Sequence, residues 1–392
     1  MRSLSTIPRT TAAAGARFRI FKENAAASCA LLLAVIPVLS FLGAAAGSGP
    51  TWQRSYFYDE ADSSFNIIDI ACPSERFCLA VGAIEENAGR TRPYGLITRD
   101  GGEHWNPAKP EDFPVSLFFL NETEGWMVAE RGLWSTQNAG QTWKKTRSGT
   151  GYLAVAFTDP QHGWLAGSKR LFETTSDGGA HWAPVTQLTQ YAGFPADLSF
   201  EYVHFHDPPD GEVVGETSGS DDRSLPDWMN PEMARYRTPA RGGVFGARTS
   251  DGGRTWTPKT IDPRRRLAVA AFPGPGRDWF GFVPPPTDLH SEITEHDWKS
   301  GESNTRYRMD DARISDVETG SDGSVVVAAV EVAGRLADTP VPAKVRILKG
   351  ASLSDLRLET VDYRAVAKRI VLARAGSHWF AATDTGMILR RK

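Results

Sequence analysis

The sequence predicts an all-β protein, a β-propeller of seven four-stranded blades, and three observations lead there. An eight-residue turn motif occurs four times, a five-residue strand motif occurs seven times, and the last repeat stops one strand short of a full unit. Self-similarity of this kind marks an array in which each unit buries its apolar faces against its neighbours.

The turn motif reads T-x-[DN]-x-G-x-x-W. It appears as Thr98, Asp100, Gly102 and Trp105, and again as Thr136, Asn138, Gly140 and Trp143. Two further copies are Thr175, Asp177, Gly179 and Trp182, and Thr249, Asp251, Gly253 and Trp256. An Asp or Asn side chain closes such a turn by accepting from backbone amides further along, and Gly adopts positive φ at little cost. The tryptophan opens the outgoing strand and buries its ring beneath the turn. These residues read as builders of the fold, because a carboxylate occupied by its own backbone is not free for a ligand.

The strand motif joins an aromatic or apolar residue to small ones. It runs Cys78 to Gly82, Gly125 to Ala129, Gly163 to Gly167 and Gly211 to Gly215, with fainter copies from Asp278, Ser324 and His378. Strand, strand, strand, Asp-turn, strand makes one blade. The C-terminal copy supplies inner strands only, and the start of the body around Trp52 resembles an outgoing strand. Residues 51–58 are therefore expected to complete the last blade, so that 51–392 is one domain with no open edge.

The spacing is uneven. Trp105, Trp143 and Trp182 lie about one blade apart, whereas Trp182 to Trp256 is nearly twice that, with one strand motif between. The surplus falls in Thr217–Gly242, and a second interruption is expected from about Pro284 to Thr305. Both read as loops inserted in blades four and five. The later repeats lack clear turn motifs, so six or eight blades also fit the sequence.

Residues 1–47 read as a targeting segment. Arg2, Arg9, Arg17, Arg19 and Lys22 precede an apolar run from Ala25 to Ala46 that ends in small residues. That pattern fits a cleaved secretory signal, and the run is also long enough to be kept as a membrane anchor. Either reading puts the body outside the cytoplasm, in the periplasm or beyond. Cys29 lies in the leader, which leaves Cys72 and Cys78 as a disulfide candidate or as two reduced thiols. A formal charge of −3 argues against nucleic acid as a partner.

Long loops on a rigid scaffold often carry binding. Thr217–Gly242 holds Trp228, Arg235, Tyr236 and Arg237, which are the binding-loop candidates. Tyr202, His204 and His206 alternate along a strand and share one side, where packing or channel lining is expected rather than metal ligation. Arg264, Arg265 and Arg266 read as a solvated turn. No metal, cofactor or catalytic residue is assigned, and a monomer is expected.

The four turn motifs match the Asp-box, or BNR, repeat of sialidases, sortilin-like receptors and photosystem II assembly and stability factors. The Gly-Trp strand coupled to T-x-D-G-G-x-x-W is most similar to the last family, over Ser64–Arg147 and Gly151–Pro184, in part through Trp256, and weakly beyond. The resemblance implies a seven-bladed, exported, non-enzymatic protein that binds or assembles protein partners, with a membrane complex among them. A sialidase-like hydrolase is the alternative, and it needs an arginine triad and a tyrosine nucleophile paired with a glutamate. The body lacks an Arg-Ile-Pro motif, and the adjacent Glu201 and Tyr202 are expected to point to opposite faces. A carbohydrate-binding module of the cell envelope is the third reading.

Overall fold

The computed structural model describes residues 49–87, 89–206, 209–217, 242–283, 290–332 and 342–392. The leader lies outside the described residues, as do Trp228, Arg235, Tyr236 and Arg237. Ser48–Lys392 forms one compact unit.

Backbone hydrogen bonds sort the strands into seven antiparallel sheets, in each of which the strands follow chain order from inner to outer edge until the ring closes. Blade 1 is Ser63–Ala71, Cys78–Glu86, Thr91–Thr98 and Asn106–Ala108. Blade 2 is Pro114–Phe119, Gly125–Ala129, Gly132–Thr136 and Lys144–Ser148. Blade 3 is Tyr152–Phe157, Gly163–Gly167, Phe172–Thr175 and Ala183–Pro184, followed by one helical turn, Thr186–Thr189. Blade 4 is Ser199–Phe205, Gly211–Thr217, Gly243–Thr249 and Thr257–Asp262. Blade 5 is Leu267–Gly274, Arg277–Phe282, Ser291–Asp297 and Ser303–Met309. Blade 6 is Ala312–Thr319, Val325–Glu331, Ala343–Gly350 and Arg357–Glu359, with Val366–Ala367 added beside its third strand.

Blade 7 joins the two ends of the body. Ile370–Ala375, His378–Thr383 and Met387–Arg391 are its first three strands, and Trp52–Phe57 is the fourth, with Trp52 opposite Arg391 and Phe57 opposite Met387. The Trp52 amide donates to the Thr360 carbonyl at 2.9 Å, and its indole donates to the Glu359 carboxylate at 2.8 Å. The ring is thus seven-bladed, and its first strand is tied to both blades 6 and 7.

Apolar packing lies between blades, which explains the strand motif. The second strands of blades 2 and 3 are buried along their whole length, so they read as continuous small and apolar runs. Trp126 stacks on Phe157 at 3.7 Å across blades 2 and 3, and Trp164 on Phe205 at 4.0 Å across blades 3 and 4. Gly163 opens its strand because Phe157 lies over it: a Cβ there would come within 2.6 Å of the ring.

Two features depart from the sequence reading. Ser291–Asp297 and Ser303–Met309 are strands of blade 5, so the interruption expected to reach Thr305 ends before Ser291. Their turn is built differently from the motif. The Asp297 carboxylate accepts from the amides of Lys299 and Ser300 at 2.8 and 2.9 Å, and Trp298 precedes Gly301 instead of following it. The second departure is a β-bulge in the inner strands of blades 1 to 6, seen for example between Ile67 and Asp69, between Phe200 and Tyr202, and between Ile314 and Asp316. A bulge interrupts the alternation of side chains.

Because Trp52 is fully buried between blades 6 and 7, Trp52→Ala is expected to cost about 3–5 kcal/mol in urea denaturation. A loss under about 1 kcal/mol would mean that the ring does not depend on this strand.

Candidate functional site

The four Asp-box turns share one hydrogen-bond scheme. In blade 3, the Thr175 hydroxyl donates to Asp177 Oδ1 at 2.9 Å and accepts from the Gly179 amide at 3.0 Å. Asp177 Oδ1 also accepts from the His181 amide at 2.9 Å, while Oδ2 meets His181 Nδ1 at 2.7 Å. Gly179 holds a φ of 90°, which favours glycine. The same contacts recur around Thr98 and Asp100, Thr136 and Asn138, and Thr249 and Asp251. One member of the scheme was missed in the sequence: the residue before each tryptophan, which is His104, Thr142, His181 or Thr255, bonds back to the Asp or Asn side chain. Alignment of the four copies would show it, since only His and Thr occur there.

These contacts hold the box carboxylates ionised. The His181 amide and side chain keep Asp177 down at about 2, the Thr255 hydroxyl and amide keep Asp251 down at about 2, and the His104 amide lowers Asp100 similarly. Each turn is also tied to its own blade: the amides of Gly101, Ala139, Gly178 and Gly252 donate to the carbonyls of Arg76, Thr123, Gln161 and Pro209, each at 2.9 Å. The tryptophans pack toward the preceding blade, Trp105 against Phe380 at 6.1 Å and Trp256 against Phe172 at 5.0 Å. Cys72 and Cys78 form a disulfide across the first turn of blade 1, at this same end of the ring.

Carboxyl groups also collect along the inner strands. Asp69 Oδ2 accepts the Leu117 amide of blade 2 at 2.7 Å, and Asp316 Oδ2 accepts the Leu372 amide of blade 7 at 2.7 Å. Both follow the bulge of their strand, and each clips its blade to the next. Burial pushes Asp316 up to about 7, helped by nearby Glu318, and pushes Glu318 up to about 7 against the pull of Arg374. Glu201 rises to about 7 through burial and then Glu216. Burial raises the Tyr202 phenol too, with Glu201 the next cause. Glu201 is the extra residue of its bulge, so strict alternation, which would send these two side chains to opposite faces, fails at this position.

His204 and His206 lie 4.7 Å apart, and His204 stacks on Phe272 of blade 5 at 5.1 Å. Burial lowers His204 to about 4, leaving a neutral ring in a packed interface. Among the described residues, no group of three or more His, Cys, Asp or Glu is placed to hold a metal. Blades 4 and 5 share a buried ionic cluster that the sequence did not suggest. Glu212 pairs with Arg248 and His206, each at 3.2 Å, and burial plus Glu212 raises Asp278 well above its ordinary value. Asp278 Oδ2 accepts the Trp298 indole proton at 2.7 Å. The arginine run lies in an exposed turn, as expected, but two of its members are ion-paired: Arg265 with Asp262 and Glu292, and Arg266 with Glu216 at 2.9 Å.

Residues 148–218 match the family described as Photosynthesis system II assembly factor YCF48. The chain is a seven-bladed β-propeller with BNR-type turns, similar to these assembly factors over that stretch. The matched stretch runs from the end of blade 2 through blade 3 into blade 4, and so leaves out the boxes at Asp100, Asn138 and Asp251. Among solved structures, "YCF48 bound to D1 peptide" is similar at 16% identity and a TM-score of 0.55, over 86% of this chain and 98% of that one. YCF48 from Cyanidioschyzon merolae is similar at 15% identity and 0.54, over 87% and 98%. The extracellular domain of the putative one component system BT4673 from B. thetaiotaomicron reaches 0.53 at 10% identity, over 87% of this propeller and 40% of that chain. At such identities the likeness shows the fold alone. No curated protein matches the sequence.

Thr175→Val leaves the Gly179 amide and Asp177 of this propeller without their shared hydroxyl, and is expected to cost about 1–3 kcal/mol in urea denaturation. The raised inner carboxyls act on pH dependence. They are protonated in both states below the ordinary carboxylate pKa of about 4, and above it only the folded chain keeps its protons. Their contribution to stability is therefore full in acid and is lost as pH rises toward about 7, opposite in sign to that of the box carboxylates, which is lost as pH falls below about 4. Glu318→Gln is expected to flatten the loss toward neutral pH, measured as urea midpoints from about pH 5 to about pH 8; a midpoint curve parallel to the parent's would refute it.

Proposed function

We propose that this propeller is an exported, non-catalytic scaffold that holds a protein partner during assembly at or outside the cytoplasmic membrane. The observation that carries this reading is the match of residues 148–218 to the assembly-factor family, set in a closed ring that spans nearly the whole length of YCF48. One similar propeller is described as bound to a peptide. The Cys72–Cys78 disulfide supports export, because such bonds persist in oxidising compartments. The basic and apolar leader supports it from the sequence side.

The chemistry along the axis favours binding over hydrolysis. A tyrosine nucleophile needs a phenol that ionises readily, and burial drives Tyr202 the other way. Asp278 and the inner carboxyls are held by backbone amides, an indole or their own interface instead of facing a shared substrate position.

The test compares the intact protein with one lacking residues 218–241 in pull-downs from solubilised membranes. The intact chain is expected to retain a reproducible set of polypeptides that the shortened one loses. Unchanged retention would remove the loop carrying Trp228, Arg235, Tyr236 and Arg237 as the contact. Turnover of a fluorogenic sialoside by the purified body would reject the non-catalytic reading.

A further inference from the structure

The two ends of the ring differ in what they expose. At the box end lie the Asp-box turns, closed by Asp, Asn, Thr, His and Gly. The opposite end carries the second turn of each blade and the links to the next. Of the exposed large apolar side chains among the described residues, Phe57, Tyr191, Val283, Tyr363 and Val366 stand at this opposite end. Leu358 sits on the outer edge of blade 6.

Three of them gather where blades 6 and 7 meet. Tyr363 is 87% exposed, on a turn closed by the Ala365 amide donating to the Asp362 carbonyl at 2.9 Å. Val366 is the cross-strand partner of Lys344, so the two side chains leave on one side. The Lys368 amide donates to Asp384 at 2.9 Å, the Thr385 hydroxyl to the Val366 carbonyl at 2.6 Å, and the Tyr58 amide to the Gly386 carbonyl at 2.9 Å. These bonds bring Phe57 beside the same turn.

Residues 343–392 hold eleven Lys and Arg against four Asp and Glu, in a chain whose net charge is −3. The cations lie at both ends of blades 6 and 7: Lys349, Arg390 and Arg391 toward the box end, Lys344 and Lys368 toward this one. Arg364 is paired with Asp362 at 2.6 Å, and the exposed Lys344 and Lys368 flank Tyr363 and Val366, with exposed Arg369 next to Lys368 and exposed Arg54 near Asp362. Toward blade 1 the patch ends at the exposed acids Asp59 and Glu60.

We propose that this corner, Tyr363, Val366 and Phe57 with Lys344 and Lys368, docks on a bilayer surface that contains anionic lipid. Tyr and Lys suit the boundary between headgroups and acyl chains, because each has an apolar body and a polar tip. The apolar residues stand on a turn and on strand ends, with charges between them. Such convex points enter a headgroup layer, whereas a protein partner is held by a continuous apolar centre that excludes water. Nearby lysines add attraction to anionic lipid that salt weakens. Docking on lipid stands apart from the protein-partner reading, since vesicles without any protein test it alone.

The experiment is co-sedimentation of the body from Ser48, which contains all strands of the seven sheets, with vesicles of phosphatidylcholine alone or mixed with phosphatidylglycerol. Binding is expected to the mixed vesicles only, and to fall in high salt. Lys344→Gln and Lys368→Gln are each expected to weaken it about fivefold, and Tyr363→Ser to weaken it without changing its salt dependence. Lys299→Gln, at the box end, keeps full binding. Equal binding to both vesicle types, no binding to either, or unchanged binding in the Tyr363 and lysine variants would overturn the proposal and leave this corner to a protein partner. All four positions are exposed, and thermal melts matching the parent confirm that each variant is folded.

Discussion

The structure depends on the pairing of Trp52–Phe57 with Met387–Arg391. A ring of sheets is free of open edges only when its first and last strands meet, and an unpaired edge invites association with other chains. Here the joining strand is bonded on one side to blade 7 and reaches blade 6 through Thr360 and Glu359. Every other contact between neighbouring blades then has a fixed partner on both sides. Opening this one joint would leave Val326, Ile347, Trp379 and Leu389 without the indole that covers them.

Given closure, the Asp-box turns set how each blade meets the one before it. The box is locally complete: threonine, carboxylate, glycine and the His or Thr before the tryptophan satisfy one another. What it delivers to the ring is the tryptophan, placed against the preceding blade. Blade 5 reaches a comparable result by another route, with Asp297 closing the turn and Trp298 crossing to the buried Asp278. Such a turn can be rewritten as long as an aromatic ring still covers the gap between sheets.

The axis shows a second kind of constraint. Six inner strands carry a bulge, and backbone amides there are taken up by side chains from the neighbouring blade, as with Asp69 and Asp316. Carboxyls committed to this work sit among protein atoms and hold their protons longer than exposed ones do. The box carboxylates lie in the opposite regime, ionised by amides at the surface. One residue type thus has its acidity moved in opposite directions, according to whether backbone amides or burial dominates its surroundings.

The sequence by itself determined the class of fold and offered seven units, because strand motifs and turn motifs are local and recur wherever the same local structure is needed; the count was settled by the seven sheets of the ring. It could not show where Glu201 and Tyr202 point, since a bulge is a property of two strands, not of one. It was equally silent on Arg265 and Arg266, whose partners Glu292 and Glu216 lie in other strands and pin a turn that stays partly open to solvent. Glu212 pairs with His206 and Arg248 inside blade 4, and Asp278 of blade 5 lies buried beside it with its carboxyl raised by that burial and by Glu212. Tertiary structure decided these features, for burial and long-range pairing depend on which surfaces meet, and that is settled only when the ring closes.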